Sequence, residues 1–436
     1  MILGAYGLAG AAAYPLIGPY VSWRARRGKE DHARRGERYG RASRERPEGP
    51  LIWVHAASVG ETNAVAPLLR ELLGLEIHVI LTTGTVSSAR IVERSLGNAV
   101  IHQYVPLDLK PAMRRFLDHW QPDLAVFAES EIWPMTIMEL GARRVPQVLV
   151  NGRLSDRSFG AWQKRPHLAE ALFENFAHVV AQSDEDGDRF QALGARPVTV
   201  SGNLKADAGP PEVDERALAM LSAQLKGRPV WAAISTHPGE EKLAAEVHLM
   251  LRDRHPGLLT IIVPRHPDRS VRIASELAAM QLSTARRSSG EAVSQSTDIL
   301  LGDTIGEMGL YLRLSDIAFL GRSMTGQGGQ NPLEPAMLGN AILSGRNVQN
   351  FRDTYQKLIR KGGARLVRDR DMLAGAVHHL LKNGDVRSTM VASAASAVED
   401  MRGALQRTLK SLDPFIHPLV VKARLEQAGP RDRGSP

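Results

Sequence analysis

Trp53-Val54-His55-Ala56-Ala57-Ser58-Val59-Gly60-Glu61-Thr62 reads as a buried strand that runs into a turn with a carboxylate at its tip. Val65, Leu68, Leu69, Leu72 and Leu73 follow with helical spacing. Pro67 is tolerated only near a helix start, so the pattern predicts a helix beginning shortly after Glu61. In an open α/β sheet such a turn lies at the carboxyl end of a strand, where ligands collect. A nearby helix N-terminus favours the ionised carboxylate, the form a general base needs. The same residues also have a plainer reading, with Glu61 as a helix cap and Ser58-Val59-Gly60 as a tight turn.

Outward from this stretch, short apolar runs alternate with amphipathic segments. Leu51–Ala57, Ile77–Thr82, Val100–Val105, Leu124–Ala128, Gln147–Val150, His178–Gln182 and Val198–Ser201 read as strands, separated by helical patterns such as Pro111–Trp120. That is the signature of βα units and a parallel sheet. Asp207 to Glu215 is a polar break containing Gly209-Pro210-Pro211, and the domain boundary is placed there. The alternation then restarts with Val230–Ser235, Leu258–Val263, Ile299–Gly302, Ile317–Leu320 and Ala341–Ser344. Two such halves are expected to face a cleft, a common ligand site. Residues 426–436 read as a polar tail.

The 436 residues suffice for two domains with separate cores. No cysteine is present, which removes disulfides, thiolate metal sites and cysteine nucleophiles. The net charge of +8 argues against nucleic acid as a partner, because most of it is local: ten Lys/Arg meet four acids between Arg24 and Arg46. Before that run, Ile2 to Ser22 carries no charge and as a helix would be about 30 Å long, near the thickness of a bilayer core. Residues 1–23 are therefore read as a membrane anchor, either spanning or lying in the interface, and 24–48 as a basic juxtamembrane linker. Positive charge after the apolar stretch places the folded body on the cytoplasmic side, at an anionic membrane surface.

Several further motifs lie at strand ends. Glu129-Ser130-Glu131-Ile132-Trp133-Pro134 sets two carboxylates beside an aromatic; they can bind a sugar, share a proton, pair with arginines or cap a helix. Pro264-Arg265-His266-Pro267 supplies a guanidinium suited to phosphate, or a solvated loop. Gly302-Asp303-Thr304-Ile305-Gly306-Glu307-Met308 is a strand–turn–helix junction whose backbone N–H groups can receive an anion. In Gly328-Gly329-Gln330-Asn331-Pro332-Leu333-Glu334, paired glycines permit close backbone approach and Glu334 can accept from ribose hydroxyls. Asp184-Glu185-Asp186 heads an amphipathic helix and reads as a cap rather than a metal triplet. No histidine cluster has metal-ligand spacing, so no metal is expected.

Taken in order, His55 to Glu61, Glu129 to Pro134, Asn151-Gly152-Arg153-Leu154-Ser155, Gly202-Asn203-Leu204-Lys205, Pro264-Arg265-His266, Gly302 to Glu307 and Gly328 to Glu334 resemble the 3-deoxy-D-manno-octulosonic acid (Kdo) transferases of lipopolysaccharide synthesis. Gln330 stands where His is common, and Arg322 where a small residue is common. The resemblance implies a GT-B glycosyltransferase of two Rossmann-like domains, residues 49–210 binding the acceptor and 211–425 binding CMP-Kdo. Glu61 would be the base in an inverting, metal-independent transfer to the lipid A precursor (lipid IVA), with no cofactor besides the donor substrate. Donor contacts would come from Asn203, Lys205, Arg265, His266, Gly306, Glu307, Met308, Gly328, Gly329, Asn331 and Glu334. Acceptor binding or support of the cleft would fall to Ser58, Gly60, Glu129, Glu131 and Arg153. Two other readings are a GT-B enzyme that uses a UDP-sugar on another membrane acceptor, and a non-catalytic membrane-tethered nucleotide- or lipid-binding protein.

Overall fold

The computed structural model describes residues 17–427, and the chain divides into two compact units, 1–208 with 402–436, and 209–401. In the first unit seven parallel strands form one sheet: β1 (Leu51–His55), β2 (His78–Thr83), β3 (Ile101–Tyr104), β4 (Leu124–Ala128), β5 (Gln147–Gly152), β6 (His178–Ala181) and β7 (Val198–Val200), in the order β3-β2-β1-β4-β5-β6-β7. Leu51 and Trp53 point into a core with Phe116, Phe127 and Phe173, while Ile52 and Val54 point into a second one with Leu68, Leu72 and Val126. This alternation between two covered faces explains why β1 is apolar at nearly every position.

The chain leaves β1 toward β2 and β3, then returns past β1 to build β4 onward. That reversal leaves a crevice at the carboxyl ends of β1 and β4, the switch point at which doubly wound sheets bind ligands. The second unit repeats the plan with β8 (Val230–Thr236), β9 (Leu259–Pro264), β10 (Thr284–Arg286), β11 (Ile299–Leu301), β12 (Ile317–Leu320), β13 (Ala341–Ser344) and β14 (Ala364–Leu366), in the order β10-β11-β9-β8-β12-β13-β14. Its switch point lies between β8 and β12.

Three expectations are corrected. The helix after β1 begins at Val59, before Glu61, because Ser58 caps it. The second domain does not run to residue 425: from Arg402 the chain packs on the first unit. There Leu412 and Ile416 of the helix Ala404–Gln427 join the core beside Ile52 and Val54. The Asp207 carboxylate fixes the start of that return by accepting from the N–H of Gly403 at 2.7 Å and of Leu405 at 2.6 Å. Since that helix reaches Gln427, the expected tail from 426 begins inside it, and 428–436 lie outside the described residues.

The third correction concerns residues 24–48, which are packed structure rather than a linker. Buried Glu30 pairs with Arg24 at 2.7 Å and Arg38 at 2.8 Å, and Glu37 with Arg34 at 2.9 Å. Arg38 also donates to the Gly84 carbonyl at 2.6 Å, and the Glu37 carboxylate accepts from the Tyr104 N–H at 2.7 Å. Gly40 closes this segment at φ +77°, so near the carbonyl of Ala112 that a Cβ would sit 1.9 Å from the oxygen. Part of the positive run is thus neutralised internally, leaving Arg26, Arg27, Lys29, Arg35, Arg41 and Arg44 exposed.

Of the expected anchor, residues 1–16 lie outside the described residues, and 17–23 fall in the helix Ile17–Arg26. Among the described residues no helix is long and apolar enough to cross a membrane.

Candidate active site

At the switch point of the first sheet, β1 delivers Glu61 and β4 delivers Glu129 and Glu131. Ser58 caps the helix and Glu61 answers it: the Glu61 N–H donates to Ser58 Oγ, and Ser58 Oγ donates back to Glu61 Oε1 at 2.8 Å. The other carboxylate oxygen accepts from the Ala57 N–H at 2.7 Å. Glu61 therefore makes capping contacts while remaining at the switch point. Burial, reinforced by the charges of Glu129 and Glu131, pushes the Glu61 carboxyl up to about 7, against the pull of its two hydrogen bonds. A carboxylate poised there takes a proton near neutrality far better than a free one.

Its neighbours are held in different ways. Glu129 sits at φ +57° and pairs with Lys205 Nζ at 2.5 Å; burial would raise its proton affinity, but Lys205, with help from Arg153, holds it below the ordinary carboxylate range. Glu131 Oε2 accepts from Trp133 Nε1 at 2.6 Å and lies 3.3 Å from His55 Nε2. His55 Nδ1 is 2.8 Å from Thr82 Oγ1, which itself accepts from Trp53 Nε1 at 2.8 Å. His55 Nδ1 also lies 3.0 Å from the Thr82 carbonyl oxygen, so Thr82 grips one ring nitrogen while the other faces Glu131. His55, read from the sequence as part of the strand and of the motif running to Glu61 but given no role of its own, thus orients a carboxylate of the site; its signal was a polar ring at the end of an otherwise apolar strand.

Gly60 is exposed, and a Cβ built there meets nothing within 4 Å. Packing does not require this glycine, although glycine costs a helix about 1 kcal/mol against alanine. Arg153 joins the site through its backbone, donating to the Glu129 carbonyl at 3.3 Å and accepting from Ser130 Oγ at 2.6 Å. Asn203 and Lys205, expected among the donor contacts, sit in the first unit beside these carboxylates. The Asn203 side chain caps a short 3-10 turn that presents Lys205 to Glu129.

In the second unit Arg265 and His266 are exposed at the end of β9, and the His266 ring lies edge-on to His237, 5.8 Å between centroids. Burial, with the nearby charges of Arg322, His266 and Arg265, lowers the proton affinity of His237, while Glu240 opposes this. His237 Nε2 is 3.4 Å from Gln330 Nε2, so Gln330 and Arg322, the two departures from the family pattern, both belong to this basic cluster. The Glu307 carboxylate is held by Arg287 through two contacts, 2.6 and 3.1 Å, and by Thr304; these keep it below the ordinary range although burial acts the other way. Gly306, at φ +86°, and Met308 flank it at the start of the short helix Met308–Arg313.

The amides of Gly328 and Gly329, two residues expected among the donor contacts, are committed within the loop. Gly328 N–H donates to Gln349 Oε1 at 3.1 Å and Gly329 N–H to the Arg322 carbonyl at 3.0 Å, so both serve the loop's own fold. Asn331 likewise accepts from the Leu333 N–H at 3.2 Å, just ahead of Glu334 in the helix Leu333–Met337.

Sequence reasoning missed Glu240, which is fully buried at the start of the helix Glu240–Leu251. Its carboxylate accepts from the N–H groups of His237 (2.9 Å), Arg322 (2.6 Å), Ser323 (3.0 Å) and Met324 (3.0 Å), with Thr325 at 3.5 Å. One side chain thereby ties the loop after β12 to the turn after β8, across the switch point of its sheet. The available signal was Gly239-Glu240-Glu241 after a strand, which echoes Gly60-Glu61 after β1.

Residues 33–208 match the family model described as 3-deoxy-D-manno-octulosonic-acid transferase (kdotransferase). The 3-deoxy-D-manno-octulosonic acid transferase of Haemophilus influenzae is 35% identical over 384 residues, covering 87% of this chain and 90% of that protein. That of Bordetella pertussis is 35% identical over 429 residues, covering 95% and 99%. The chain belongs to the Kdo transferase family. As a Kdo transferase it is an enzyme of the glycosyltransferase class. A solved glycosyltransferase from Rickettsia africae, 10% identical with a TM-score of 0.59, covers 85% of this chain and 99% of its own; at that identity it shows the shared two-domain fold alone.

Proposed function

We propose that this enzyme moves Kdo from CMP-Kdo to the acylated, phosphorylated disaccharide precursor of lipid A, with Glu61 as general base. The acceptor hydroxyl oxygen attacks the anomeric carbon of Kdo, its proton passes to Glu61, and the bond from that carbon to the phosphate oxygen breaks, releasing CMP with inversion. The observation that carries this reading is geometric: at the sheet's switch point β1 leads to Glu61, held by Ser58 Oγ and the Ala57 N–H, and β4 leads to Glu129 and Glu131, with burial and those two charges raising the proton affinity of Glu61. On the leaving phosphate, the basic group of Arg265, His266 and Arg322 offsets developing charge without a metal ion. Glu307 and Glu334 complete the donor contacts.

The same proposal places the enzyme on the cytoplasmic face of the inner membrane. Tyr20 and Trp23 are about half exposed and stack at 6.1 Å, with the Arg27 guanidinium 4.1 Å from the Trp23 ring centre. An exposed aromatic pair beside Arg26, Arg27 and Lys29 suits an anionic membrane interface, where the acceptor resides.

The test is transfer by purified protein, with CMP-Kdo generated in situ and tetraacylated lipid A precursor as acceptor, in the presence and absence of a chelator. A product heavier by Kdo in both samples supports the reading. No product from folded protein, with UDP rather than CMP protecting it against heat, would instead support a UDP-sugar donor.

A further inference from the structure

We propose that a hollow of about 500 Å³ on the first unit, lined by Asp156, Arg157, Gly160, Ala161, Lys164 and Arg165, binds a phosphate group carried on the acceptor sugar. This rests on the acceptor class proposed above and adds how that acceptor is held. Arg157, Gly160, Ala161 and Lys164 fall on one stripe of the helix Asp156–Gln163 and its C-cap, so two small residues form a floor between cations. The one acid of the lining is already committed, since Asp156 pairs with Arg189 at 2.5 Å. Among the described residues no carboxylate is within ion-pair distance of Arg157, Lys164 or Arg165, and all three are exposed. Two guanidinium groups and an ammonium around one hollow match a phosphate better than a neutral sugar.

Folding does not account for this helix face. The helix buries no residue, and it rests on the core only through half-buried Phe159 and Trp162. Three exposed cations around one hollow present a positive surface suited to an anion. The hollow is also tied to the catalytic carboxylates. Ser155 caps the helix, Leu154 N–H is held by Asp186 at 2.8 Å, and Arg153 meets both the Glu129 carbonyl and Ser130 Oγ. Three residues of chain therefore join the hollow to the loop that carries Glu129 and Glu131.

The test is steady-state kinetics in detergent micelles with the full-length enzyme and the triple variant Arg157→Ala, Lys164→Ala, Arg165→Ala, on the bisphosphorylated acceptor and on the same acceptor after phosphatase treatment. The expected result is a rise of about tenfold in the KM for the phosphorylated acceptor, with kcat and the KM for CMP-Kdo within about twofold, and no difference between the two proteins on the dephosphorylated acceptor. The charge-conserving variant Arg157→Lys, Lys164→Arg, Arg165→Lys is expected to keep a near wild-type KM. A KM for the phosphorylated acceptor within twofold of wild type, or an equal loss on both acceptors, overturns the proposal. If the wild-type protein transfers nothing, the functional reading has failed, and co-sedimentation with the same two acceptors tests the hollow by itself. Phosphate-dependent binding lost in the triple variant then supports the site, and equal binding by both proteins overturns it.

Discussion

Glu61 and Glu240 occupy the same place in the two halves of the molecule: each follows the first strand of its sheet, at a switch point, in the first turn of a helix. They do opposite things. Glu61 receives two hydrogen bonds and faces two other carboxylates, so its charged form is poorly supported and it sits near 7. Glu240 receives four well-formed backbone N–H bonds and a longer fifth, and its oxygens are spent on holding two loops together. Whether a buried glutamate acts as a base or as a tie is decided by how many donors surround it, which its position in the fold does not settle.

The largest effect expected from breaking this contrast is at Glu61. Glu61→Gln keeps the shape and removes the proposed base, and is expected to lower kcat by about 10²- to 10⁴-fold with CMP-Kdo binding intact. Full retention of transfer would remove Glu61 from the mechanism. A linked stability effect has a definite sign. The folded-state proton affinity of Glu61 lies above its unfolded value, so its contribution to stability is present at low pH and is lost as pH rises through about 7. Thermal denaturation is thus expected to show Glu61→Gln gaining stability relative to wild type between pH 5 and pH 8.

Next in size is Glu240→Ala, which strands several buried N–H groups. It should cost about 3–5 kcal/mol and lower the unfolding midpoint of the second unit by roughly 10 °C, by calorimetry. Because the freed loop includes Arg322, the KM for CMP-Kdo should rise more than kcat falls.

A smaller change sharpens the comparison. Wild-type kcat/KM is expected to fall about tenfold per pH unit below about 7, as Glu61 becomes protonated. Replacing Glu129 or Glu131 by Gln removes a charge that raises Glu61, so the acid limb should move to lower pH; an unmoved limb would separate Glu61 from its neighbours. Smallest of all, Gly60→Ala should stabilise the protein by up to about 1 kcal/mol in thermal denaturation, because a methyl there meets nothing within 4 Å; a rise in the KM for acceptor would in addition mark Gly60 as a contact of the substrate.

Much of the fold was legible. Strands buried on both faces are long apolar runs bounded by turns, and twelve of the fourteen were read at or near their observed limits. The two missed, β10 (Thr284-Ala285-Arg286) and β14 (Ala364-Arg365-Leu366), are three-residue edge strands whose polar residues carry no periodic signal. Of the site, Glu61, Glu129 and Glu131 were read from turns at strand ends, where the parallel topology does bring them together. Lys205 was identified as a site residue but assigned to the donor, since its partner Glu129 lies 76 residues away and no local pattern links them. The partners of the Gly328 and Gly329 amides were hidden for a similar reason. A glycine pair announces conformational freedom, while the group that takes up each N–H is set by tertiary contacts.

The sequence by itself determined two parallel α/β halves, the boundary near residue 208, the family, and the residue types available at each strand end. These follow from hydrophobic period, turn chemistry and motif order, all of which are local. Tertiary structure decided the rest: that residues 24–48 fold onto the first unit, that the last helix returns to it, and that one buried glutamate is left short of donors while its counterpart is saturated. Such outcomes depend on which donors and charges distant segments bring within about 3–4 Å, and spacing along the chain does not encode that.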